Sequence, residues 1–506
     1  VKQVLTYDPV TTRTLSRIYR YYDHEDPALS SGRLMHGKVS YYSNLEVRQV
    51  SHNSSMILNY YAASSGGNIS LFSQTGNHVV YQDVTESEDT AYTNGATWHH
   101  FQVAADSVAA TIRGGGVPHA PYYQDGTPQA LEVRTVQYKS GGPGELVKLQ
   151  ETRQHYVNTV MGTPVTAYAA RKNWEDPVFT GLHPYDLSMY TLSTNWVYSD
   201  STISVNYDAG TSRPVQTVTL TEYANAAHLQ PTKTTTTGSD GLVRYSTFLY
   251  PAEKVAAGAT IPYQAMIDQN QVTALAEKKD FVNGAFQEKT INTYSNALSA
   301  NTTPYLLYKI QTQHKNESAE DRIEYSAYDN LGNPVTVSMA SGPKISYRWG
   351  YNQQYPVAEI KNALSTECYL QDFEAGGGSA SNASHTGTSR SSGSAYTVSF
   401  TLPNARGYVI SYWYMDADER WHYSGELPYT GSSYALSGHS YYDDIRVYPA
   451  DAQLSTFTYL PQVGTWSSID SRGVTTYYQY DVFRRLRAIK DTGGNTVKTF
   501  TYHYGN

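Results

Sequence analysis

The sequence predicts an all-β protein, and three observations predict it. Thr, Val and Tyr alternate with period two in Val39-Ser40-Tyr41-Tyr42, in Thr217-Val218-Thr219-Leu220-Thr221 and in residues 475–480. Such residues fit a pleated, half-buried surface. Turn-forming pairs recur between these stretches, at Asn94-Gly95, Asp125-Gly126, Asp240-Gly241, Asn283-Gly284 and Gly332-Asn333. Helical periodicity is scarce. The best stretch is residues 263–270, with a continuation to 279, and it is short and weakly amphipathic.

Composition bounds the rest. A chain of 506 residues corresponds to about three domains and can bury several cores without disulfides or metals. The 37 basic and 45 acidic residues leave a formal charge of −8 with no dense Lys/Arg stripe. Nucleic-acid binding by phosphate neutralisation is therefore not expected. The lone Cys368 excludes an internal disulfide and any multi-cysteine zinc site. No apolar run reaches the roughly 18–20 residues of a transmembrane helix. The chain starts at Val1 with no apolar leader, so it reads as a piece of a longer or processed polypeptide.

Tyrosine is the outlier, at 48 residues against 11 Phe and 7 Trp. It recurs before aspartate. One instance is Tyr325-Ser326-Ala327-Tyr328-Asp329-Asn330-Leu331-Gly332-Asn333. Another is Tyr478-Gln479-Tyr480-Asp481-Val482-Phe483-Arg484-Arg485-Leu486, followed by Asp491-Thr492-Gly493-Gly494-Asn495 and then Tyr502-His503-Tyr504. Physically, a strand ends in Tyr, the Asp bonds nearby backbone N–H groups, and a Gly supplies positive φ. The chain then reverses into a strand marked by Leu or Val. Successive hairpins are expected to stack tyrosine rings on one face, each with a hydroxyl left for a partner or water.

These phrases resemble the Rhs/YD-repeat family, whose relatives include teneurins and the cocoon subunits of bacterial toxin complexes. Further stretches resemble the variant found in Bacteroidetes surface and secreted proteins: Thr221-Glu222-Tyr223, Tyr347-Arg348-Trp349-Gly350-Tyr351-Asn352 with Tyr355-Pro356-Val357-Ala358, and Asp444-Ile445-Arg446-Val447-Tyr448-Pro449. The resemblance covers most of residues 160–362 and 444–506. It implies antiparallel hairpins wound into a spiralling β-shell or barrel. Two departures stand out. Arg484 occupies the place of the repeat's Gly, and the aspartate-rich self-cleaving core of many family shells is not recognisable.

A composition break falls at Phe373, where a Gly/Ser/Thr-rich stretch opens and lasts to Ser394. Strand-like segments follow at residues 396–402, 408–415 and 420–423. The division expected is residues 1–362 as shell, 363–450 as a small inserted β-sandwich and 451–506 as hairpins returning to the shell. The alternative is that the Gly/Ser run is a loop of the same sheet. The inserted pattern resembles the jelly-roll modules of carbohydrate-binding and adhesive proteins. That resemblance implies a structural Ca²⁺ between Glu374 and Asp444, with Asp443 as a competing ligand and carbonyls near residues 385–387 completing the shell. The competing reading is that Asp443 and Asp444 begin a surface strand. Trp413, Tyr414, Trp421 and Tyr423 would stack on sugars if exposed, although alternating aromatics more often line a core.

Catalytic signatures are missing. There is no Gly-x-Ser-x-Gly elbow, no His-Glu-x-x-His pair and no phosphate loop; Gly114-Gly115-Gly116 and Gly141-Gly142-Pro143-Gly144 read as loops. His99 and His100 are strand neighbours that point to opposite faces, one packed and one exposed. Asp416, Asp418 and Glu419 lie close enough in sequence to make one polar turn. Asp89-Thr90-Ala91, Asp106-Ser107-Val108 and Asp200-Ser201-Thr202 resemble the O-glycosylation triplet of exported Bacteroidetes proteins.

The reading expected from sequence is a non-enzymatic, exported structural protein at the bacterial cell surface or outside the cell. Its shell would display or enclose a partner: a cargo protein or other segments of the same longer polypeptide. The alternative is an adhesin that binds surface glycans through Trp413 and Trp421 of the inserted module.

Overall fold

The computed structural model describes residues 1–8, 13–35, 42–51, 54–63, 79–105, 109–113, 117, 130–142, 145–172, 185–207 and 214–502. Val39-Ser40-Tyr41, Asp106-Ser107-Val108, the glycines at 114–116, Asp125-Gly126, Pro143-Gly144 and His503-Tyr504 lie outside them. Among the described residues the protein is almost entirely β, and 23 strands belong to one antiparallel sheet. Two compact units are present. One comprises Val1–Glu222 and Lys233–Tyr245, the other Tyr223–Thr232 and Ser246–His503. This division falls well before residue 362, and the inserted block lies wholly inside the second unit.

The first unit is a meander. Gln3–Asp8 pairs with Arg13–Arg20, which pairs with Asp83–Ser87, then Ala96–Gln102, Leu131–Gly142, Glu145–Lys172 and Tyr185–Asn206 in succession. Trp98 and Val136 are buried between these strands, and Trp98 donates its indole N–H to Asp83 at 3.0 Å. His99 and His100 do diverge as the pleat requires: His99 meets Glu132 at 2.5 Å and His100 meets Asp83 at 2.7 Å. Both rings are half-buried, so the expected contrast of one packed and one exposed gives way to two separate carboxylate pairs. Glu151 is fully buried. Burial raises its pKa, but hydrogen bonds from Arg153, Arg134 and Tyr207 outweigh that and hold it down to about 2.

The second unit shows the repeat. Each strand from Glu277–Val282 to Tyr355–Lys361 is antiparallel to the next, and the series resumes from Gln453–Leu460 to Thr496–Thr499. Tyr355–Lys361 pairs directly with Gln453–Leu460, so the intervening segment leaves and rejoins the sheet between neighbouring strands. Four turns share one geometry, centred on Asp329, Asp470, Asp481 and Asp491. In each, the aspartate N–H bonds the carbonyl four residues on, and the residue three on returns its N–H to the aspartate carbonyl. The carboxylate accepts the N–H of Asn333, Val474, Arg485 or Asn495 at 2.8–3.0 Å. The third position has positive φ, supplied by Gly332, Gly473 and Gly494. Arg484 takes the same conformation at φ 63°. The turn is thus retained with strain, which for a side-chain-bearing residue costs about 1 kcal/mol.

A second repeating device joins successive strands. Tyr250, Tyr294, Tyr328, Tyr459, Tyr480 and Tyr502 each donate the phenol O–H to a carbonyl of the preceding hairpin: Pro231, Leu275, Leu307, Pro356, Thr465 and Leu486, at 2.6–3.1 Å. Trp349 does the same to Pro334 through its indole N–H at 2.9 Å. The expected continuous ring stack is replaced by this hydroxyl-to-carbonyl ladder. Ring stacking is local, as between Tyr355 and Tyr459 at 4.8 Å. A phenol spans one strand spacing and gives the carbonyl a second donor, so each ring both covers apolar surface and fixes register.

Two short helices interrupt the unit. Tyr263–Asp268 ends earlier than the sequence suggested, because Asn270 adopts φ 61° and the chain breaks away. Pro251–Ala256 was not anticipated, although its start carries Pro at the first position and Glu253 reaching back to the Tyr250 N–H at 2.9 Å.

Candidate functional site

The segment between Lys361 and Gln453 builds its own small core. Tyr441–Pro449 lies between Tyr369–Gln371 and Tyr408–Met415, with Trp421–Tyr423 and Leu427–Tyr429 beyond. A separate pair, Ala395–Ser399 with Ser433–Ser437, contributes Val398 and Leu436 to the same cluster as Ile410, Tyr442 and Val447. Two layers therefore close on one core. The Gly/Ser-rich stretch belongs to it and carries a minimal hairpin, Ser379–Ala380 with Ser389–Arg390.

Against this core sits a knot of carboxylates. Asp443 and Asp444 are buried, at 0% and 2% exposure, where the competing reading placed them at the surface. Asp444 adopts φ 48°, at a point where the pairing of its strand with Tyr408–Met415 is irregular. That kink lets two consecutive acids be used on one side. Asp443 accepts the N–H groups of His385 (2.9 Å), Thr386 (3.3 Å) and Asp444 (2.8 Å). Asp444 takes the His385 Nδ1 at 2.6 Å and the Thr386 hydroxyl at 2.8 Å. Glu374 accepts the N–H groups of Thr388 (2.7 Å) and Ser389 (2.8 Å) and the Thr388 hydroxyl at 3.0 Å. Burial, and then the adjoining Asp444, push the Asp443 carboxyl well above the usual range.

This donor set bears on calcium. All six carboxylate oxygens of Glu374, Asp443 and Asp444 already accept protein donors. The carbonyls of His385 and Gly387 receive the hydroxyls of Tyr477 and Ser384. Among the described residues no group of three or more His, Cys, Asp and Glu side chains is placed to hold a metal ion. Calcium wants six to eight open oxygens, and as arranged these residues do not fit it. Sequence reasoning pointed to the backbone near residues 385–387 but missed the His385 side chain, which meets Asp444 at 2.6 Å. Its signal was the sketch His385-Thr386-Gly387 facing an Asp-Asp pair.

The two tryptophans part company. Trp413 is 5% exposed and its ring lies on His385, with centroids 3.9 Å apart. It is a core residue, and the stacked face is closed to a sugar. Trp421 is half-buried and donates its indole N–H to the Ala383 carbonyl at 3.1 Å. Asp416 and Glu419 close a turn, as expected, and Asp416 pairs with His439 at 2.5 Å.

Beside the carboxylates lies a cavity of about 360 Å³, lined by Arg348, Trp349, Tyr351, Asn352, Gln371, Asp372 and Glu374 with apolar Val357 and Leu370. Its rim is an unusual turn. Tyr351, Asn352 and Gln353 all have φ between 51° and 62°, and Gln354 N–H closes back on the Gly350 carbonyl at 3.0 Å. This is one turn of left-handed helix. Gly350 is required before it, since a Cβ there would lie 2.5 Å from Val357. Asp372 on the opposite wall was not singled out from the sequence. Burial, then Asp444 and Glu374, raise its pKa to about 6.

No protein-family model and no curated protein matches the chain. Among solved structures, it is similar to a Tc holotoxin pore from Photorhabdus luminescens, at 12% identity and TM-score 0.18, over 80% of this chain and 20% of that one. It is also similar to a TcdB2–TccC3 crystal structure, at 12% identity and TM-score 0.16, over 81% of this chain and 20% of that one. The chain spans about a fifth of the length of these structures.

Proposed function

We propose that this chain is a structural segment of an Rhs/YD-repeat β-shell, and that the shell displays or encloses a protein partner at the bacterial surface or outside the cell. The observation that carries this reading is the repeat in the second unit. The same five-residue aspartate turn and the same phenol-to-carbonyl bond recur from hairpin to hairpin. Side chains spent this way extend a wall; they bind each hairpin to the one before it. The partner is a cargo or a neighbouring segment of the same polypeptide.

The reading is tested on the longest polypeptide that contains this chain. Electron cryo-microscopy is expected to show a curved, continuous β-wall around an internal space, with trypsin sparing whatever lies inside. An isolated flat sheet with no enclosed space, or equal digestion of every neighbouring segment, would overturn enclosure. Surface proteolysis of intact cells tests the location: a chain untouched until the cells are broken is not displayed outside them.

A further inference from the structure

The cavity beside the inserted block has the makings of a ligand site that the shell reading does not use. Its chemistry is set by Asp372. That carboxylate accepts one N–H, from Glu374 at 3.2 Å. Among the described residues no Lys, Arg or His nitrogen lies within ion-pairing distance of it, although Asp444 and Glu374 are close enough to repel its charge. Glu374 is occupied by Thr388 and Ser389. Arg348, the one cation on the wall, donates a guanidinium N–H to the Cys368 carbonyl at 3.2 Å. The lining thus carries two carboxylates against one guanidinium, and Asp372, which shares the cavity with Trp349 and Tyr351, has no ion-pair partner among the described residues.

Burying such a charge is costly unless a partner neutralises it. An aromatic wall favours a cation as that partner, because ring faces attract cations, an ammonium group among them, and repel anions. The volume admits an ammonium group with an alkyl stem, far more than a bare metal ion fills, and Val357 and Leu370 supply apolar surface for the stem.

We propose that this cavity binds a primary alkylammonium group, with Asp372 as its hydrogen-bonded counter-ion and Trp349 and Tyr351 as its aromatic walls. Two sources share this chemistry, a lysine side chain of a polypeptide and a free polyamine. The inference is independent of the shell reading: a wall with an empty cavity and a ligand site on a chain that forms no shell are both coherent outcomes.

The test is isothermal titration calorimetry on the whole 506-residue chain at pH 8 with three probes: Nα-acetyl-lysine methylamide, spermidine and glucose. Saturable binding of one or both amines, weakening at least about tenfold in Asp372→Asn and falling as sodium chloride is added, is the expected result. The lysine derivative alone would assign a polypeptide side chain, and spermidine alone a polyamine. Asp372→Asn is nearly isosteric and removes a buried charge, so its folding is checked by circular dichroism and by its melting midpoint. Should it misfold, the salt dependence and displacement of the lysine derivative by methylammonium carry the test. No binding of either amine at millimolar concentration would overturn the proposal. So would unchanged binding in a folded Asp372→Asn variant, or displacement of the amine by glucose.

Discussion

The repeat hairpins and the block inserted among them use the same side chain in opposite ways. In the hairpins, Asp481 and Asp491 cap their own turns. The carboxyl of Asp481 is held below its ordinary pKa because hydrogen bonds, Arg485's foremost, outweigh burial; that of Asp491 is lowered first by the Asn495 N–H. In the inserted block, Asp443 also accepts backbone N–H groups, three of them, yet its pKa is driven up by burial and by Asp444. Hydrogen bonds alone do not set the charge state. Where arginine or backbone donors meet a lone carboxylate, the donors win even at low exposure, as at Asp481 and Glu151; where a second acid shares a dry site, desolvation and repulsion win. The hairpins thus spread stability over many small, repeated contacts, while the insert concentrates it in one knot.

Four experiments break or sharpen that contrast. The largest effect is expected at Trp413, whose ring is buried against His385. Trp413→Ala should cost about 3–5 kcal/mol in urea unfolding, whereas Trp421→Ala should cost far less; equal losses would mean that the insert has no such centre. Asp443→Ala comes next, at about 3 kcal/mol, because it leaves the His385, Thr386 and Asp444 N–H groups buried without an acceptor. The same substitution at Asp491, which is only partly buried, should be much milder.

Third is the pH dependence of Asp372. Its folded pKa, about 6, lies above its ordinary value of 3.8, so between those limits the folded chain binds more protons than the unfolded one. Stability from this group is therefore present in full below about pH 4 and is lost as pH rises through 6. Asp372→Asn should stabilise the protein at pH 8 by about 2 kcal/mol, a figure already discounted for partial exposure. It should also flatten the unfolding free energy across that window, leaving the contribution of Asp443. A variant as pH-sensitive as the parent would place the shift elsewhere. The smallest effect is at the strained turn. Arg484→Gly should gain about 0.5 kcal/mol, as relief of the positive φ exceeds the entropy glycine adds to the unfolded chain. Gly494→Ala, with open space around the new methyl, should lose about 1 kcal/mol through backbone conformation alone.

Much of this was written into the sequence, for reasons that are local. The aspartate turn needs one carboxylate, one residue tolerant of positive φ and five consecutive positions, so Asp329 to Asn333 and Asp491 to Asn495 could be read directly. The Asp470 turn carries the same pattern, Asp470-Ser471-Arg472-Gly473-Val474, without the preceding Tyr of Asp329 and Asp481. The helix at Pro251 also had its signal in Pro251 and Glu253. The change of character within the chain also had a local signal, the composition break at Phe373.

The candidate site was not legible in that way. Whether Asp443 and Asp444 lay on a surface or in a core, and whether calcium or His385 would meet them, depended on which distant residues the fold brought within 3 Å. His385 lies 59 positions from Asp444 along the chain. Nor could alternation say whether Trp413 faced water or the core, because period two fixes that a strand has two sides and says nothing of what covers each. The order of residues by itself determined β-strands, their reversals and the residues that cap them, since those depend on neighbours along the backbone. Only tertiary packing decided which carboxylates keep their charge and where a cavity remains, because desolvation is a property of the surroundings in space.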